Sequence, residues 1–480
     1  MRRLTICCLA VLASVASAHA DVVISKSPTE NMTCSTGVCA PTANDAILNV
    51  SDLQNLLASG NVSVTTTGAG GVQAANIDVA APATWSSANG LTLDAYESIN
   101  IDAAISVAGA GALSVTTNDG GSGGAFSISG KGHVVFQNPS SQLTINGNAY
   151  VLVNSIASLQ SAINSNQFGF FALAASYVAA GDGTYPTCPV TAQLIAGIFD
   201  GLGNSISNVS IDYGQYAYFM GFFCGNNGTI EHFGLQNIDI VTPDIGDVGA
   251  LAGFSGGYLF EDFATGTIRV GGHRAAAGGL VGVIAHAVSD SAVDHCYADV
   301  KIDGRKMHHG FAGGLIAYDP LTPIYQSFAT GTVIAGRRAQ AGGLIGWNDG
   351  GTIENSYARG AVTGGPNSQI GGLVGRQGKQ NPQQIDSSYS TGAVTGGASS
   401  IVGGFAGTST RISTYTSDYW DTTTSGTNEA TGKGNSNGIA GETTAQLQSG
   451  LPTGFDPAIW AEAPGINGGL PYLIANPPRK

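Results

Sequence analysis

Three turns in the second half of the chain are rich in basic residues, and each precedes a similar Gly-Gly-Leu segment. The turns read GGHRAAAGGL, DGRKMHHGFAGGL and AGRRAQAGGL. A spacing of 32 positions separates Arg274 from Lys306, and Lys306 from Arg338. The same spacing separates Arg305 from Arg337. If successive turns stack at the strand spacing of about 4.8 Å, these side chains form one basic strip along a corner. The predicted strip comprises Arg274, Arg305, Lys306, His308, His309, Arg337 and Arg338.

Such a strip would bind anions, because guanidinium groups offer paired donors that match carboxylate and sulfate oxygens. The sequence therefore predicts an acidic glycan, or a host or matrix surface, as the partner. A second interpretation is a solvated edge whose charges deter edge pairing or are balanced by Asp299 and Asp303. The strip ends after the third turn, since the next two turns, GGPNSQIGGL and GGASSIVGGF, contain no basic residue.

Carboxylates near the strip provide an alternative, catalytic interpretation. The candidate pairs are Asp299 with Asp303, and Asp290 with Asp294 beside His295. Spacing alone gives these pairs little support as the two carboxylates of a glycosidase. Serine-hydrolase, P-loop, dinucleotide-binding and zinc-protease motifs are all absent. We therefore predict no catalytic residue, no metal site and no cofactor, and keep a polysaccharide lyase or hydrolase as the alternative.

Composition restricts both the fold and the partners. The 480 residues include 71 Gly and 10% charged residues, with a net charge of −14, whereas ordinary domains carry about 25% charged residues and about 7% Gly. The 43% of hydrophobic residues is enough to build a core. Abundant Gly, Thr, Ser, Val and Ile predict short strands joined by tight turns. The acidic balance argues against a nucleic-acid partner.

The first 20 residues have the pattern of a signal peptide. Arg2 and Arg3 precede an apolar run from Leu4 to Val15, and Ala18-His19-Ala20 resembles a cleavage site. No later run approaches the roughly 20 apolar residues of a membrane-spanning helix. The sequence thus predicts an exported protein without a membrane span, secreted or held at the cell surface of a Gram-negative bacterium.

Export would allow disulfides to form. Cys34 and Cys39 are close enough in sequence to pair. Cys188 and Cys224 are a second candidate pair, which leaves Cys296 without a partner. The alternative for Cys224 and Cys296 is that both are small buried apolar residues.

A unit of about 30 residues repeats seven times between about Phe219 and Tyr419. One marker is a glycine that closes a short apolar run, at Gly225, Gly253, Gly282, Gly346, Gly375 and Gly407, and Ala317 takes its place in the remaining unit. A second marker is an aromatic residue, at Phe233, Phe263, Tyr297, Phe328, Tyr357, Tyr389 and Tyr419. Strands this short cannot bury a face alone, so the units are expected to stack with the aromatic residues as interior ladders.

Two resemblances extend this interpretation. Residues Gly90–Gly124 and Leu143–Ile163 resemble filamentous-haemagglutinin-type bacterial exoproteins, which implies a right-handed parallel β-helix over 47–165. The segment GGLIGWNDGGTIENSYARGAVTG resembles the GLUG repeat of bacterial surface proteins and secreted peptidase accessory regions. The first resemblance implies an outer-membrane export partner, although no NPNGI-like motif of that route follows the predicted cleavage site.

The predicted architecture is all-β, a right-handed parallel β-helix with short capping helices and a C-terminal cap. The helices are expected after a capping box at Ser51–Gln54 and over Ser155–Ser165. The predicted segments are a signal peptide (1–20), an N-terminal cap (21–46), a haemagglutinin-like helix (47–165), connecting coils (166–218), the GLUG repeats (219–420) and a C-terminal loop and cap (421–480). The expected function is adhesion to host or matrix glycans or proteins, with a purely structural surface role as a further alternative.

Overall fold

The computed structural model describes residues 21–478 apart from 215–216, 244–245, 286–290 and 379–382. In this part of the chain the fold is nearly all β, a parallel β-solenoid of about 13 coils. The predicted fold class is therefore confirmed. The predicted signal peptide and Asp290 lie outside the described residues.

The first half of the solenoid has three sheets, whose strands follow in order of pairing. One sheet contains Ala46–Asn49, Val22–Ser25, Ile77–Val79, Ile99–Ile101 and Phe126–Ile128. A second sheet contains Ala83–Trp85, Ala104–Val107 and His133–Phe136. The third sheet contains Met32–Ser35, Val38–Pro41, Val62–Thr65, Leu91–Asp94, Ala112–Thr116, Gln142–Ile145 and Asn148–Val153. Alternate residues of these strands face the interior, as Leu91 and Leu93 do, because side chains of a strand alternate between its faces.

The second half has three walls, and each coil crosses them in the order C, A, B. Wall A continues the third sheet through Phe170–Leu173, Leu194–Asp200, Phe223–Glu231, Ala252–Ser255, Tyr258–Phe260, Val281–Ile284, Val293–Asp294, Ile316–Asp319, Ile324–Tyr325, Ile345–Asn348, Ile353–Glu354, Val374–Gln377, Gln383–Asp386, Ala406–Thr408, Ser413–Thr416 and Thr431–Lys433. Wall B contains Tyr177–Val178, Thr184–Tyr185, Ser205–Ser207, Ser210–Asp212, Gly234–Thr242, Phe263–Val270, Tyr297–Gly304, Phe328–Ala329, Val333–Ala335, Tyr357–Ala358, Val362–Gly364, Tyr389–Ser390, Val394–Gly396, Asp418–Asp421 and Ile439–Glu442. Wall C contains Phe219–Met220, Asp247–Gly249, Ala276–Gly278, Phe311–Gly313, Gln340–Gly342, Gln369–Gly371 and Ile401–Gly403.

Helices are few and short. Over the described residues, the α-helices are Val50–Ser59, Ile156–Ser165 and Thr444–Leu447, and the 3-10 turns are Ala69–Gly71, Ala179–Gly181 and Asn467–Gly469. A separate antiparallel pair, outside the walls, joins Trp460–Ala461 to Tyr472–Leu473. Both predicted helices are present. The first begins before its predicted capping box, because Asn49 is the N-cap and its side chain accepts a hydrogen bond from the Ser51 amide.

The repeated aromatic residues stack in register on the outer face of wall B, and not in the interior as the sequence predicted. This aromatic ladder comprises Phe263, Tyr297, Phe328, Tyr357, Tyr389 and Tyr419. From Phe263 to Tyr389 the ring centroids are 4.7–5.0 Å apart and the ring planes lie within 5° of parallel. The adjacent Ala298, Ala329 and Ala358 face the solenoid core instead.

Phe233 is not part of the ladder. Gly234 occupies its register position opposite Phe263, while Phe233 packs inside the solenoid against Phe199 and Phe222. In the later coils Ala298, Ala329 and Ala358 take the inner position of this strand, and the aromatic residue beside each of them lies on the outer face.

The C-terminal segment, residues 444–478, covers the aromatic ladder. Trp460 and Phe455 pack against it, and the Tyr389 hydroxyl donates to the carbonyl oxygen of Pro471 at 2.6 Å. Further along, the Asn476 side chain donates to the Gln326 carbonyl oxygen at 3.2 Å. The segment therefore runs back along the outside of wall B as far as the coil that contains Gln326. The predicted cap was expected to cover only the last coil.

Two disulfides are present in the part of the chain that the structure describes. Cys34 is bonded to Cys39, and Cys188 is bonded to Cys224. Cys296 is a free, buried thiol. The interpretation as a small buried apolar residue thus holds for Cys296 and is wrong for Cys224.

A buried polar column lies in wall A, where Asp319, Asn348 and Gln377 are in register. The Asn348 side chain accepts from the Gly351 amide and donates to the Gly351 carbonyl oxygen, both at 2.8 Å. Asp319 accepts from the Thr322 amide through Oδ1, but its Oδ2 has no hydrogen-bond partner. Burial raises the pKa of Asp319 to about 7.

Substituting Asp319→Asn should raise the free energy of unfolding at pH 8 by about 1–3 kcal/mol, the usual cost of an unsatisfied buried group. Because the folded-state pKa lies above the unfolded value of about 3.9, the stability due to the protonated carboxyl is present near pH 4 and lost as the pH rises through 7. The gain should therefore shrink as the pH falls. Urea unfolding from pH 4 to pH 8 measures it, with Asn348→Asp as the converse control, and a gain independent of pH would contradict this account.

Candidate functional site

The predicted basic residues meet where wall B turns into wall C. They follow the strands Phe263–Val270, Tyr297–Gly304 and Val333–Ala335, and precede the next strands of wall C. Six of the seven are exposed, and His309 is half-buried. We call this surface the basic corner; it comprises His273, Arg274, Arg305, Lys306, His308, His309, Arg337 and Arg338.

Backbone hydrogen bonds fix a register that differs from the predicted spacing of 32. The Arg274 amide donates to the carbonyl oxygen of His308 at 2.7 Å, and the His309 amide donates to that of Arg337 at 3.1 Å. The chain thus forms one column of His273, His308 and Arg337 and a second column of Arg274, His309 and Arg338.

The difference arises from an insertion in the middle turn. Gly304 aligns with Ala335, and His308 then aligns with Arg337. The middle turn therefore has two residues more than the third turn. Arg305 and Lys306 occupy this insertion, so they lie beside the two columns and not within them.

The second column has a left-handed backbone. The φ angles are 66° at Arg274, 58° at His309 and 55° at Arg338, and they continue at 61° for both Asn367 and Ser399 on the next coils. This conformation suits Asn and costs a longer side chain of the order of 1 kcal/mol. The same position of the turn is occupied by Asn and Ser on the next two coils, so the backbone conformation does not require a basic residue there.

Charge is concentrated at the columns. Desolvation, followed by the charges of Arg338, His273, Arg274 and Arg337, lowers the pKa of His309. The rings of His273 and His309 lie 5.0 Å apart, and Arg338 Nη1 lies 3.4 Å from His309 Nε2. In the described part of the chain, no ion pair joins Arg274, Arg337 or Arg338 to an acidic residue.

Arg305 differs from the column residues because Asp303 neutralises it. Its Nε lies 2.8 Å from Asp303 Oδ1 and its Nη2 lies 2.5 Å from Oδ2, and this hydrogen bonding lowers the pKa of Asp303. Arg269 is likewise paired with Asp239 at 2.6 Å. The interpretation of a charge-balanced edge therefore applies to these two arginines.

A shallow groove of about 410 Å³ crosses the corner. Arg305, His308 and Arg337 lie along it, and Gly336, with neighbouring glycines, contributes to its surface. Without side chains on those glycines, a polymer could approach the backbone between the cationic groups.

The predicted carboxylate pairs do not converge. Asp299 and Asp303 lie four residues apart on the strand Tyr297–Gly304, so about 13 Å separates them, more than the roughly 5–9.5 Å of paired catalytic carboxylates. Asp294 accepts hydrogen bonds from Tyr258 and from the ring of His295. Asp290 lies outside the described residues.

A buried cluster that sequence reasoning missed lies where wall A turns into wall B. Asp200 Oδ1 is 3.0 Å from His232 Nδ1, and Glu261 Oε2 is 3.7 Å from His232 Nε2. Burial, followed by the charge of Asp200, raises the pKa of the adjacent Glu231 to about 7. Burial alone would lower the pKa of His232, but Asp200 and the two glutamates raise it to about 10.

The fold and the basic corner together define a class: a β-solenoid of stacked repeats with basic residues in the turns of three successive coils. Residues 338–363 match the family described as the GLUG motif, and this range begins in the basic corner. The match supports a repeat-containing protein. The resemblance of 47–165 to filamentous-haemagglutinin-type exoproteins stays a prediction.

This chain is similar to halomucin from Haloquadratum walsbyi, at 37% identity over 103 residues. That alignment covers 21% of this chain and 1% of halomucin, so the chain spans a very small part of that relative.

Two solved structures are similar in fold. One, described as a candidate immunoglobulin A1 protease from Bacteroides ovatus, has a TM-score of 0.44 and 21% identity over 68% of this chain and 92% of that one. The other, an IgA1 protease, has a TM-score of 0.38 and 20% identity over 53% of this chain and 21% of that one. Likenesses this distant do not bear on activity. Among the described residues, no helix has the length and apolar character to cross a membrane.

Proposed function

We propose that this protein is an exported surface solenoid whose basic corner binds a carboxylated or sulfated polysaccharide. The proposal rests on the convergence of Arg274, Arg337 and Arg338 in two adjacent columns. These residues have no acidic partner within the described chain. Guanidinium groups match carboxylate and sulfate oxygens. Two coils present them along one corner, on either side of the coil that contributes His308 and His309 to the columns.

Several features support an exported, surface-exposed location. Residues 1–20 have the pattern of a signal peptide, and disulfides such as Cys188–Cys224 form in oxidising compartments. We infer export from a Gram-negative cell with the help of an outer-membrane partner. At the surface, the solenoid would present the basic corner to host or matrix glycans, as an adhesin does.

We infer that the corner binds its ligand without cleaving it. Asp299 and Asp303 are too far apart for paired-carboxylate catalysis. Asp303 is also ion-paired with Arg305. Asp294 is held by Tyr258 and His295 where wall A turns into wall B, across wall B from the basic corner. If no glycan binds, the remaining interpretation is a purely structural role at the surface.

The test compares the full chain with an Arg274→Gln/Arg337→Gln/Arg338→Gln variant. Heparin and polygalacturonate serve as acidic probes and dextran as the neutral one, and titration calorimetry measures the dissociation constant. The triple variant should bind the acidic probes about 10- to 100-fold more weakly, since each exposed charge contact contributes about 0.5–1 kcal/mol. Binding should also weaken with salt, because charges further apart than about 10 Å are screened at 0.1 M.

The matched control is Lys26→Gln/Lys131→Gln/Arg411→Gln, which removes the same charge at exposed positions on other coils. This control should bind like the unmodified chain. An equal loss in both triple variants would show that net charge, and not the corner, governs binding. Release of reducing or unsaturated ends during the incubation would favour the enzyme alternative.

A further inference from the structure

The buried corner between walls A and B brings together side chains from three successive coils. Asp200 and Glu231 end their strands and are in register, and His232 and Glu261 follow directly with left-handed φ angles of 51° and 54°. Asp200 and His232 are 0% and 4% exposed. One potential ligand atom from each of Asp200, Glu231 and His232 lies within 4.8 Å of the other two.

Asp200 is held with one oxygen still available. Its Oδ1 accepts a hydrogen bond from the Leu202 amide at 2.7 Å and faces His232 Nδ1 at 3.0 Å. Its Oδ2 is buried and has no hydrogen-bond partner. An unpartnered carboxylate oxygen in a buried site needs a donor or a cation, and no described donor reaches it.

The imidazole is fixed in orientation. The edges of Phe126 and Phe260 contact it from two directions, with ring centroids 5.5 and 5.6 Å away. Its Nε2 makes no hydrogen bond and lies 3.7 Å from Glu261 Oε2. A carboxylate opposite one ring nitrogen is the usual device that orients a metal-ligating histidine through the other nitrogen.

We propose that Asp200, Glu231 and His232 bind one divalent transition-metal ion of the Zn²⁺ class, with Glu261 orienting the imidazole. The separation of 3.0 Å between Asp200 Oδ1 and His232 Nδ1 is close to the edge of about 3.3 Å expected for two ligands at about 2.05 Å from tetrahedral zinc. One imidazole with carboxylates is a donor set that suits zinc, whereas Ca²⁺ and Mg²⁺ prefer oxygen ligands alone.

The position of the site assigns it a structural role. Glu261 Oε2 also accepts a hydrogen bond from the Ile128 amide at 3.2 Å, which lies on a strand of the first half of the solenoid. An ion at this point would tie the first half to the repeat array. Because the folded chain alone assembles the ligands, the free energy of metal binding would add to folding stability.

The ligands belong to positions spaced by one coil, at 200, 231–232 and 261. No local metal motif such as CxxC or HExxH marks them, which is why the sequence led to a prediction of no metal site. The periodic spacing that revealed the basic strip would also have revealed this cluster.

The test uses the full chain after treatment with a chelator. Titration with Zn²⁺ against a chromophoric competitor should give one equivalent per chain with micromolar or tighter affinity, and Zn²⁺ should raise the melting temperature by several degrees. The variant His232→Gln should lose this equivalent. The variant Glu231→Gln changes a half-buried ligand, so its effect on folding should be smaller, and it should bind Zn²⁺ at least tenfold more weakly. The control His308→Gln removes an exposed histidine of the basic corner and should bind like the unmodified chain.

Circular dichroism of each metal-free variant establishes that it is folded, and Glu231→Gln keeps the test decisive if His232→Gln does not fold. The proposal is overturned if the unmodified chain binds no Zn²⁺ at micromolar concentration, or if Glu231→Gln binds it unchanged. It is also overturned if Ca²⁺ or Mg²⁺ competes equally with Zn²⁺, because the imidazole would then not be a ligand.

Discussion

Substituting Trp460→Ala should lower the free energy of unfolding by about 3–5 kcal/mol, the usual loss for a fully buried tryptophan. The side chain is 1% exposed, and its ring lies 4.6–6.0 Å from those of Phe455, Tyr389 and Tyr357. Its Nε1 donates to Asn355 Oδ1 at 2.9 Å. Removing it opens a cavity over the middle of the aromatic ladder and detaches the C-terminal segment from wall B.

The measurement is urea unfolding of the full chain followed by tryptophan fluorescence, together with binding of a hydrophobic dye to the native variant. Trp347→Ala is the matched control, since Trp347 is half-buried on the outside of wall A with Arg376 stacked 4.6 Å above its ring. That control should lose about 1 kcal/mol. Equal losses would mean that the C-terminal segment contributes no more to stability than an ordinary surface aromatic contact.

The ladder shows what a sequence period determines and what it leaves open. The spacing correctly predicts stacked aromatic rings at positions such as Phe328 and Tyr357, because equivalent residues of successive coils must align. It does not say which side of the strand faces inward. The adjacent Ala329 and Ala358 do so, because the backbones of Gly314 and Gly343 lie so close to these two methyl groups that no ring would fit there. The C-terminal segment that covers these two rings begins more than 80 residues beyond Tyr357 in the chain.

The basic corner shows a different limit. The three repeated turns identify its residues in the sequence, and the structure does bring them to one surface. Their register could not be predicted, because the two extra residues between Gly304 and His308 are absorbed by the turn while the flanking strands stay aligned. Counting positions pairs Arg305 with Arg337, whereas the backbone pairs His308 with Arg337. Variants designed on the counted spacing would have removed Arg305, which Asp303 already neutralises.

The second large effect is expected at the paired glycines of the repeat, where Gly343→Val should lower the free energy of unfolding by about 4 kcal/mol or more, the range of the most damaging substitutions. A Cβ atom at Gly343 would lie 2.1 Å from the carbonyl oxygen of Gly372 on the next coil and 2.9 Å from the Cβ of Ala358. The same clash, at 1.9 Å, would occur between Gly314 and the Gly343 carbonyl oxygen. The obstacle is backbone, so the coils themselves would have to separate.

Urea unfolding again measures the loss, and Gly60→Val is the control, because a Cβ there meets no atom within 4 Å and the backbone is extended. That control should change stability by about 0.5 kcal/mol or less. Gly343 lies within the range that matches the GLUG motif, 338–363, and its role is to let neighbouring coils approach. If Gly343→Val were tolerated as well as Gly60→Val, close stacking would not explain the paired glycines. If it unfolds the array while the Arg274→Gln/Arg337→Gln/Arg338→Gln variant stays folded, the repeated motif is scaffold and the turns between copies are free to carry function.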